Sequence, residues 1–357
     1  MFRVMRAAAA SSAALTCLLA TSAARAHHAG GVGNAQGAGP INTISASTLE
    51  QGRSVAGVTV DYTSFDTLGD ATLIGATAAG IEDVHGLDTI QSYALNYSYG
   101  VTNDLMLTLR LPYVRRTGAR AAEENGGIIE VEDHGTPSGI GDLSLLGQYR
   151  FLNDRASRTE AAVLLGIKAP TGTTDFQHNG ELLEAEFQPG SGSWDALFGL
   201  ALTHRTGKWS FDTNVLYAAV SEGTQETDLG DLFFYDAAIS YRLASLGGPA
   251  PMLHGAHAHE DGDDGHGHTH SHAEETDHGA ALDLVLEVNG EWHDKQETAG
   301  VDDANSGGNT IYISPGLRLS IDEWSGFFSV GIPVVKDLNG IQAEPEWRIS
   351  TGASLAF

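Results

Sequence analysis

The sequence holds a single cysteine, Cys17, among 357 residues. A secreted domain stapled by disulfides is thereby excluded. Basic residues are scarce too: 19 Lys and Arg face 46 Asp and Glu, a formal charge of −27. That balance repels phosphate backbones and excludes nucleic acid as a partner. No stretch beyond residue 26 is long and apolar enough for a membrane helix. Catalytic signals are missing as well. There is no Gly-x-Ser-x-Gly elbow, and serine and histidine are too scattered to nominate a nucleophile–base pair. The chain therefore reads as a non-enzyme with no catalytic residue.

What is present begins with Met1 to Ala26, which has the pattern of a secretory leader. Arg3 and Arg6 supply the positive start, Ala7 to Ala20 the apolar core, and Ala24-Arg25-Ala26 the small-residue cleavage site. Cleavage after Ala26 would leave a mature chain starting at His27, free of cysteine and with a charge of −30 once Arg3, Arg6 and Arg25 are gone. At the other end, Trp347 to Phe357 alternates larger with smaller side chains and stops on an aromatic. Bacterial outer-membrane barrels typically end this way, with the last strand read by the barrel assembly machinery. In a soluble sheet the same strand would be an aggregation hazard.

Period-two alternation over roughly ten residues recurs along the chain, the signature of a transmembrane β-barrel. Tyr93, Leu95, Tyr97 and Tyr99 share one face against Ala94, Asn96, Ser98 and Gly100. Leu143, Leu145, Tyr149 and Phe151 oppose Asp142, Ser144, Gln148 and Arg150, and Leu282, Leu284, Leu286 and Val288 oppose Asp283, Glu287 and Asn289. The apolar faces are rich in Leu, Tyr and Trp and suit lipid. The opposite faces carry small residues and charges of both signs and suit a wet lumen. Trp194, Trp209, Trp292 and Trp347 fall near expected strand ends, with Trp324 expected in a turn, all suited to interfacial girdles.

The fold class expected is all-β: an up-and-down antiparallel outer-membrane barrel of about twelve strands. The strands are read at 54–65, 89–100, 105–116, 138–151, 159–169, 191–206, 208–220, 231–243, 281–294, 308–321, 325–335 and 345–357. Residues 27–53 form a Gly-rich segment on the periplasmic side or in the lumen. Residues 54–357 form the barrel, interrupted by an insertion at 244–280. Short connections after even strands alternate with long acidic ones after odd strands, which places the short turns in the periplasm and the long loops outside.

Inward-facing charge is nearly balanced. Arg110, Arg150, Arg205, Arg242, Arg318 and Arg348 stand with Asp142, Asp195, Asp212, Asp236, Asp283 and Glu287 as residues expected to line the lumen. They form either a pathway or a bracing lattice, and bracing is the simpler reading. The outer loops are acidic, for example at Glu123, Glu124, Glu130, Glu132 and Asp133. They would either gather cations at the mouth or share divalent ions with lipopolysaccharide.

The insertion carries eight of the fifteen histidines: His254, His257, His259, His266, His268, His270, His272 and His278. Asp261, Asp263 and Asp264 lie among them, with no Lys or Arg. Neutral imidazoles and carboxylates without competing cations suit Zn, Cu or Ni, bound without any cofactor being required for the fold. The bland alternative is a solvated linker. His27 and His28 would join the new α-amine as a second chelating group. The glycines that follow suggest a segment able to enter the lumen as a plug, although a disordered leader is the simpler expectation. His85, His134 and His178 are expected solvated in outer loops, and His204 and His293 as ordinary rim or wall residues.

Five blocks carry a family resemblance: Gly37 to Leu49, Tyr99 to Tyr113, Gly141 to Phe151, Lys168-Ala-Pro-Thr-Gly172, and Gln188-Pro-Gly-Ser-Gly-Ser-Trp-Asp195. Together they resemble the outer-membrane barrel family named after the meta-pathway of phenol degradation. The resemblance implies a barrel with a transport role and no catalytic residues. Members with His-rich segments resemble partners of heavy-metal resistance systems, which implies periplasmic metal-efflux components as partners beside the outer membrane's lipid and lipopolysaccharide. The functional expectation is thus an outer-membrane channel or transporter for a small solute, linked to transition-metal handling through the His-rich loop. The alternatives are a transporter of aromatic or other hydrophobic compounds with the tract incidental, or an outer-membrane lipid hydrolase.

Overall fold

Alternating side chains demand a surface with two unlike faces, and the computed structural model provides it by closing one sheet into a cylinder. It describes residues 38–81, 83–246 and 279–357. The leader, His27 and His28, and all eight histidines of the tract lie outside the described residues, as do Asp261, Asp263 and Asp264.

Twelve long strands follow one another: β1 Ser54–Asp66, β2 Thr89–Thr102, β3 Leu105–Thr117, β4 Leu143–Asp154, β5 Thr159–Ala169, β6 Asp195–Thr206, β7 Trp209–Ala219, β8 Leu232–Leu246, β9 Ala280–His293, β10 Gly308–Ile321, β11 Trp324–Leu338 and β12 Glu344–Ala356. Each pairs antiparallel with its sequence neighbours, and β12 returns to β1 with Val55 opposite Ala356. Closure leaves no free edge, which disposes of the aggregation hazard of the terminal strand. A three-residue piece, Ser138–Ile140, continues the wall above β4 by pairing with β3. The expected strands and the observed ones agree to within a few residues, and Trp324 opens β11 rather than sitting in the turn before it.

The lipid-facing belt follows the pleat. Tyr93, Leu95, Tyr97 and Tyr99 are exposed while Ala94, Asn96 and Ser98 are buried. All five tryptophans point outward and divide between the two rims. Trp209 and Trp324 lie at the short-turn end, and Trp194, Trp292 and Trp347 at the long-loop end. Trp347 stacks on Tyr62 at 5.1 Å and Trp209 tilts against Tyr241 at 4.6 Å. Rings at both ends of an apolar band match the interfacial girdles of outer-membrane barrels.

Connections at one end are two to four residues long, at 103–104, 155–158, 207–208 and 322–323. At the other end they are longer, and all but the short 339–343 connection carry secondary structure of their own. The β1–β2 loop carries a helix, α1 (Asp70–Ala78), and the β3–β4 loop a hairpin of Arg120–Asn125 with Ile128–Asp133. Leu73 and Ala76 of α1 pack with Val84 against this hairpin through Ala122 and Val131. The insertion between β8 and β9 opens at the short-turn end, where Leu246 faces Ala280 across the ladder. In this class that end is periplasmic.

Candidate functional site: a filled lumen under a packed cap

The lumen is occupied by the chain itself. Residues 38–49 run inside the barrel with almost every side chain buried, so this stretch is an ordered plug, against the simpler expectation of a disordered leader. It has no sheet partner, and its backbone donors must be satisfied by wall side chains. Glu287, fully buried on β9, accepts the amides of Ile41, Asn42 and Thr43 at 2.9–3.0 Å and the Asn42 side chain at 2.7 Å. A buried carboxylate is costly unless charge-assisted bonds of this kind compensate it. Further along, Asn214 Oδ1 accepts the Ile44 amide at 2.6 Å, Thr203 Oγ1 the Ala46 amide at 2.9 Å, and Gln148 donates to the carbonyls of Ser45 and Ser47. The segment leaves at the short-turn rim, where Thr48 Oγ1 donates to the Asn103 carbonyl and the Gln51 amide to Asn103 Oδ1. There it passes so close to β2 that a side chain at Gly100 would collide with the Glu50 carbonyl, 2.1 Å from where a Cβ would stand.

The plug explains a departure from the polar-lumen pattern. Leu146, Leu164, Leu216 and Phe234 point inward and are buried, packed around Ile44 and Ala46. Their inward register was legible in the alternation. What they face was not, because a strand's period does not reveal an occupant of the barrel.

The charges expected in the lumen are all on the inner face, and ion pairs account for most of them. Arg110 bonds Asp61 at 3.2 Å. Arg150 bridges Asp104 at 2.9 Å and Glu160 at 2.6 Å, and Arg205 reaches Glu160 at 2.8 Å and the plug's Ser47 hydroxyl at 2.8 Å. Arg242 pairs with Asp283, which also stands opposite Arg318 in register. Arg348 pairs with Glu291 and lies 3.9 Å from the Tyr312 ring centroid. Asp212 accepts from Thr203 and Ser210, and Asp236 from Asn214 and Asn289. Arg205, Thr203, Asn214 and Glu287 also bond the plug directly, so the wall lattice and the plug form one hydrogen-bonded system.

At the long-loop rim, Asp142 and Asp195 close a different lock. Asp142 accepts the amides of Gly172 and Ser191 at 2.9 and 2.8 Å and the Ser191 hydroxyl at 2.7 Å. Lys168 lies 2.6 Å from Asp195 and 3.4 Å from Asp142. Gly172 and Gly190 meet back to back, with a Cβ on either falling 2.6 Å from the other's Cα. The motifs at 168–172 and 188–195 thus tie the base of the β5–β6 loop to β4 without any ligand.

Above the lock the outer loops and the strand ends beneath them pack into an apolar cap: Phe65, Leu87, Ile90, Val114, Leu183 and Phe187 are buried together. His85 and His134, expected in solvent, are only 8% exposed here. Their rings lie 5.1 and 5.8 Å from that of Phe187. The sequence missed this because the partners come from three separate loops. His178 is half-buried and His204 bonds Thr159 at 3.0 Å, while His293 is buried on the wall. Carboxylates gather beside His85: Glu186 at 3.2 Å and Glu184 at 3.7 Å. Burial pushes the Glu184 carboxyl well above the ordinary range, reinforced by Glu186, Asp83 and Glu123 and opposed by His85. Burial also lifts Asp303 to about 6 and, with help from His85 and His178, lowers His134 to about 4.

Comparison with known proteins fits this architecture. A search of curated proteins by sequence returns no match. Among solved structures, an outer membrane channel from Pseudomonas putida F1 superposes with a TM-score of 0.57 at 14% identity, covering 87% of this chain and 97% of that one. The Pseudomonas putida toluene transporter TodX follows at 0.37 and 9%, covering 86% and 90%. LpxR from Salmonella typhimurium stands at 0.40 and 12%, covering 84% and 99%. The first of these shares the barrel fold; the lower two scores carry no inference. The model of the family described as "Putative MetA-pathway of phenol degradation" matches residues 90–282, more than half of the chain. This outer-membrane β-barrel therefore belongs to that family.

Proposed function

We propose that the chain is a plugged outer-membrane channel for a small apolar or amphipathic solute, a monoaromatic compound being the best fit. The observation that carries the reading is how the plug is held. Its amides end on wall side chains rather than in the barrel's hydrogen-bond ladder. It can therefore shift without unzipping a strand, which is what a gate requires. Two apolar surfaces favour the solute class: the cap around Phe187 and the inward Leu146, Leu164, Leu216 and Phe234 at mid-barrel. A general pore for sugars or ions has no use for either, and the family description points to phenol degradation.

Two measurements test this. Wild-type protein in planar bilayers should conduct weakly and Glu287→Ala strongly, since the variant removes the acceptor for three plug amides. Cells carrying the chain should take up a labelled monoaromatic at low concentration faster than cells lacking it, with no gain for a sugar of similar size. Equal conductance of wild type and variant would overturn the gate, and equal gains for sugar and aromatic would overturn the solute class.

A second reading keeps the His-rich tract as a metal-responsive element. It is favoured by the position of the insertion, whose flanking residues Leu246 and Ala280 sit at the short-turn end, where the plug also leaves the lumen. Zn²⁺ added to that face should alter conductance in the full chain and leave it unchanged when 254–278 is deleted. An unchanged response after the deletion would remove the tract from the mechanism.

A further inference from the structure

Outside the lumen, one cluster is not explained by packing alone. His85 from the β1–β2 loop meets Glu184 and Glu186 from the β5–β6 loop, and one ligand atom from each lies within 4.8 Å of the others. Glu186 is 1% exposed, yet neither of its carboxylate oxygens has a hydrogen-bond partner among the described residues, and the same holds for Oε2 of Glu184. The 3.2 Å approach of His85 Nδ1 to Glu186 is an ion-pair distance without hydrogen-bond alignment. Asp303, from the β9–β10 loop, is buried near enough to feel the Glu186 charge, and its Oδ2 also lacks a partner. A cation close enough to act on Glu186 is Arg116, fully buried, whose Nη1 donates to the Phe187 carbonyl at 3.4 Å. Carboxylates gathered in a dry site need either protons or a cation to cancel their repulsion.

We propose that His85, Glu184 and Glu186 bind a divalent transition cation of the zinc class, which clamps the outer loops over the barrel mouth. An imidazole with two carboxylates is an ordinary donor set for such an ion. At metal–ligand distances of about 2.0–2.2 Å the ligand atoms stand roughly 3–4 Å apart, so the observed spread needs only a small contraction. The local backbone already holds the two glutamates together: the Phe187 and Gln188 amides donate to the Glu184 carbonyl at 3.1 and 3.2 Å, a turn that brings both carboxylates to the side of His85. Gln188 pins the same turn by donating to the Leu183 carbonyl at 2.5 Å. Asp303 is placed to add a fourth oxygen or to hold a bound water. The ion would join two loops some hundred residues apart in sequence, beside the apolar cap. A calcium-like ion is disfavoured because imidazole is a poor ligand for it.

The test must separate this site from the His-rich tract in the same chain. Full-length barrel is refolded with Zn²⁺, with Ca²⁺ or with a chelator, and hydrogen exchange is read peptide by peptide. At free Zn²⁺ about 100-fold above the dissociation constant, exchange through openings that break the site should slow by roughly 100-fold. Slowing is expected in peptides covering 84–86 and 183–188, in Zn²⁺ alone. His85→Gln and Glu186→Gln should each abolish it there while leaving any Zn²⁺ effect on 254–278 intact. Heat-modifiable migration of both variants serves as the check on folding, and if either fails it, Glu184→Gln replaces it. No Zn²⁺ effect on those peptides in wild type, an equal effect of Ca²⁺, or an effect that survives in the folded variants would each overturn the proposal.

Discussion

Glu287 shows how much one residue organises. Four donors from Ile41, Asn42 and Thr43 converge on it inside a barrel that offers the plug no ladder. Glu287→Ala leaves three backbone amides to find water or go unpaired, at a cost on the order of 3 kcal/mol. The barrel wall does not use those bonds, so its heat-modifiable migration should be unchanged while conductance rises. Asp142 makes the opposite prediction. Its bonds to Gly172 and Ser191 fasten the β5–β6 loop to the wall, so Asp142→Ala should free that loop with a loss of roughly 2–3 kcal/mol. Limited proteolysis should then cut within 170–194 at rates far above wild type, with plugging and conductance unaffected. Cleavage no faster than wild type would mean that the two glycines in contact hold the loop without the carboxylate. Neither role could be read from sequence. Glu287 and Asp142 were both legible as inward-facing from the alternation, but a lone acidic residue on an inner face does not announce which distant amides it will accept.

At the level of elements, the strands were the readable part. Lipid outside and water or protein inside impose the period of two, and the turns between short-connected strands are too brief to blur it. The loops were not readable. Helix α1 packs by Leu73 and Ala76 against a hairpin some fifty residues away, and His85 and His134 are buried by the same long-range packing. Nothing local in 67–88 or 117–137 marks these contacts. The insertion between β8 and β9 gives the sharpest test of the distinction. The ladder continues to Leu246 and Ala280, and Ser245 still faces Ala281, so the strands need only a tight connection. Replacing 247–279 by a two-residue Asn-Gly turn should leave the barrel folded, because a turn of that type matches the twist of a hairpin. The measurement is heat-modifiable migration with protease resistance; loss of both would mean that the tract takes part in assembly.

For the whole molecule, charge is distributed by depth. The wall lattice pairs acid with base, as in Arg150 with Glu160 and Arg348 with Glu291. Most of the excess of acid that gives the chain its −27 therefore falls outside that lattice, and Glu124, Glu130, Glu132 and Asp133 of the β3–β4 hairpin are exposed at the mouth. A constriction whose charges are largely paired, beneath a negative vestibule, concentrates cations ahead of the pore and passes them by size. Once Glu287→Ala opens the path, currents should be cation-selective at low salt. The selectivity should decline as salt rises and the Debye length shortens from about 30 Å at 0.01 M to about 3 Å at 1 M. Neutralising those four hairpin acids should remove most of the preference without changing conductance at high salt. Reversal potentials across a salt gradient measure it directly. Selectivity that persists at 1 M salt, or survives the loss of the hairpin acids, would place the discriminating charge in the constriction and make the wall lattice, rather than the outer loops, the filter.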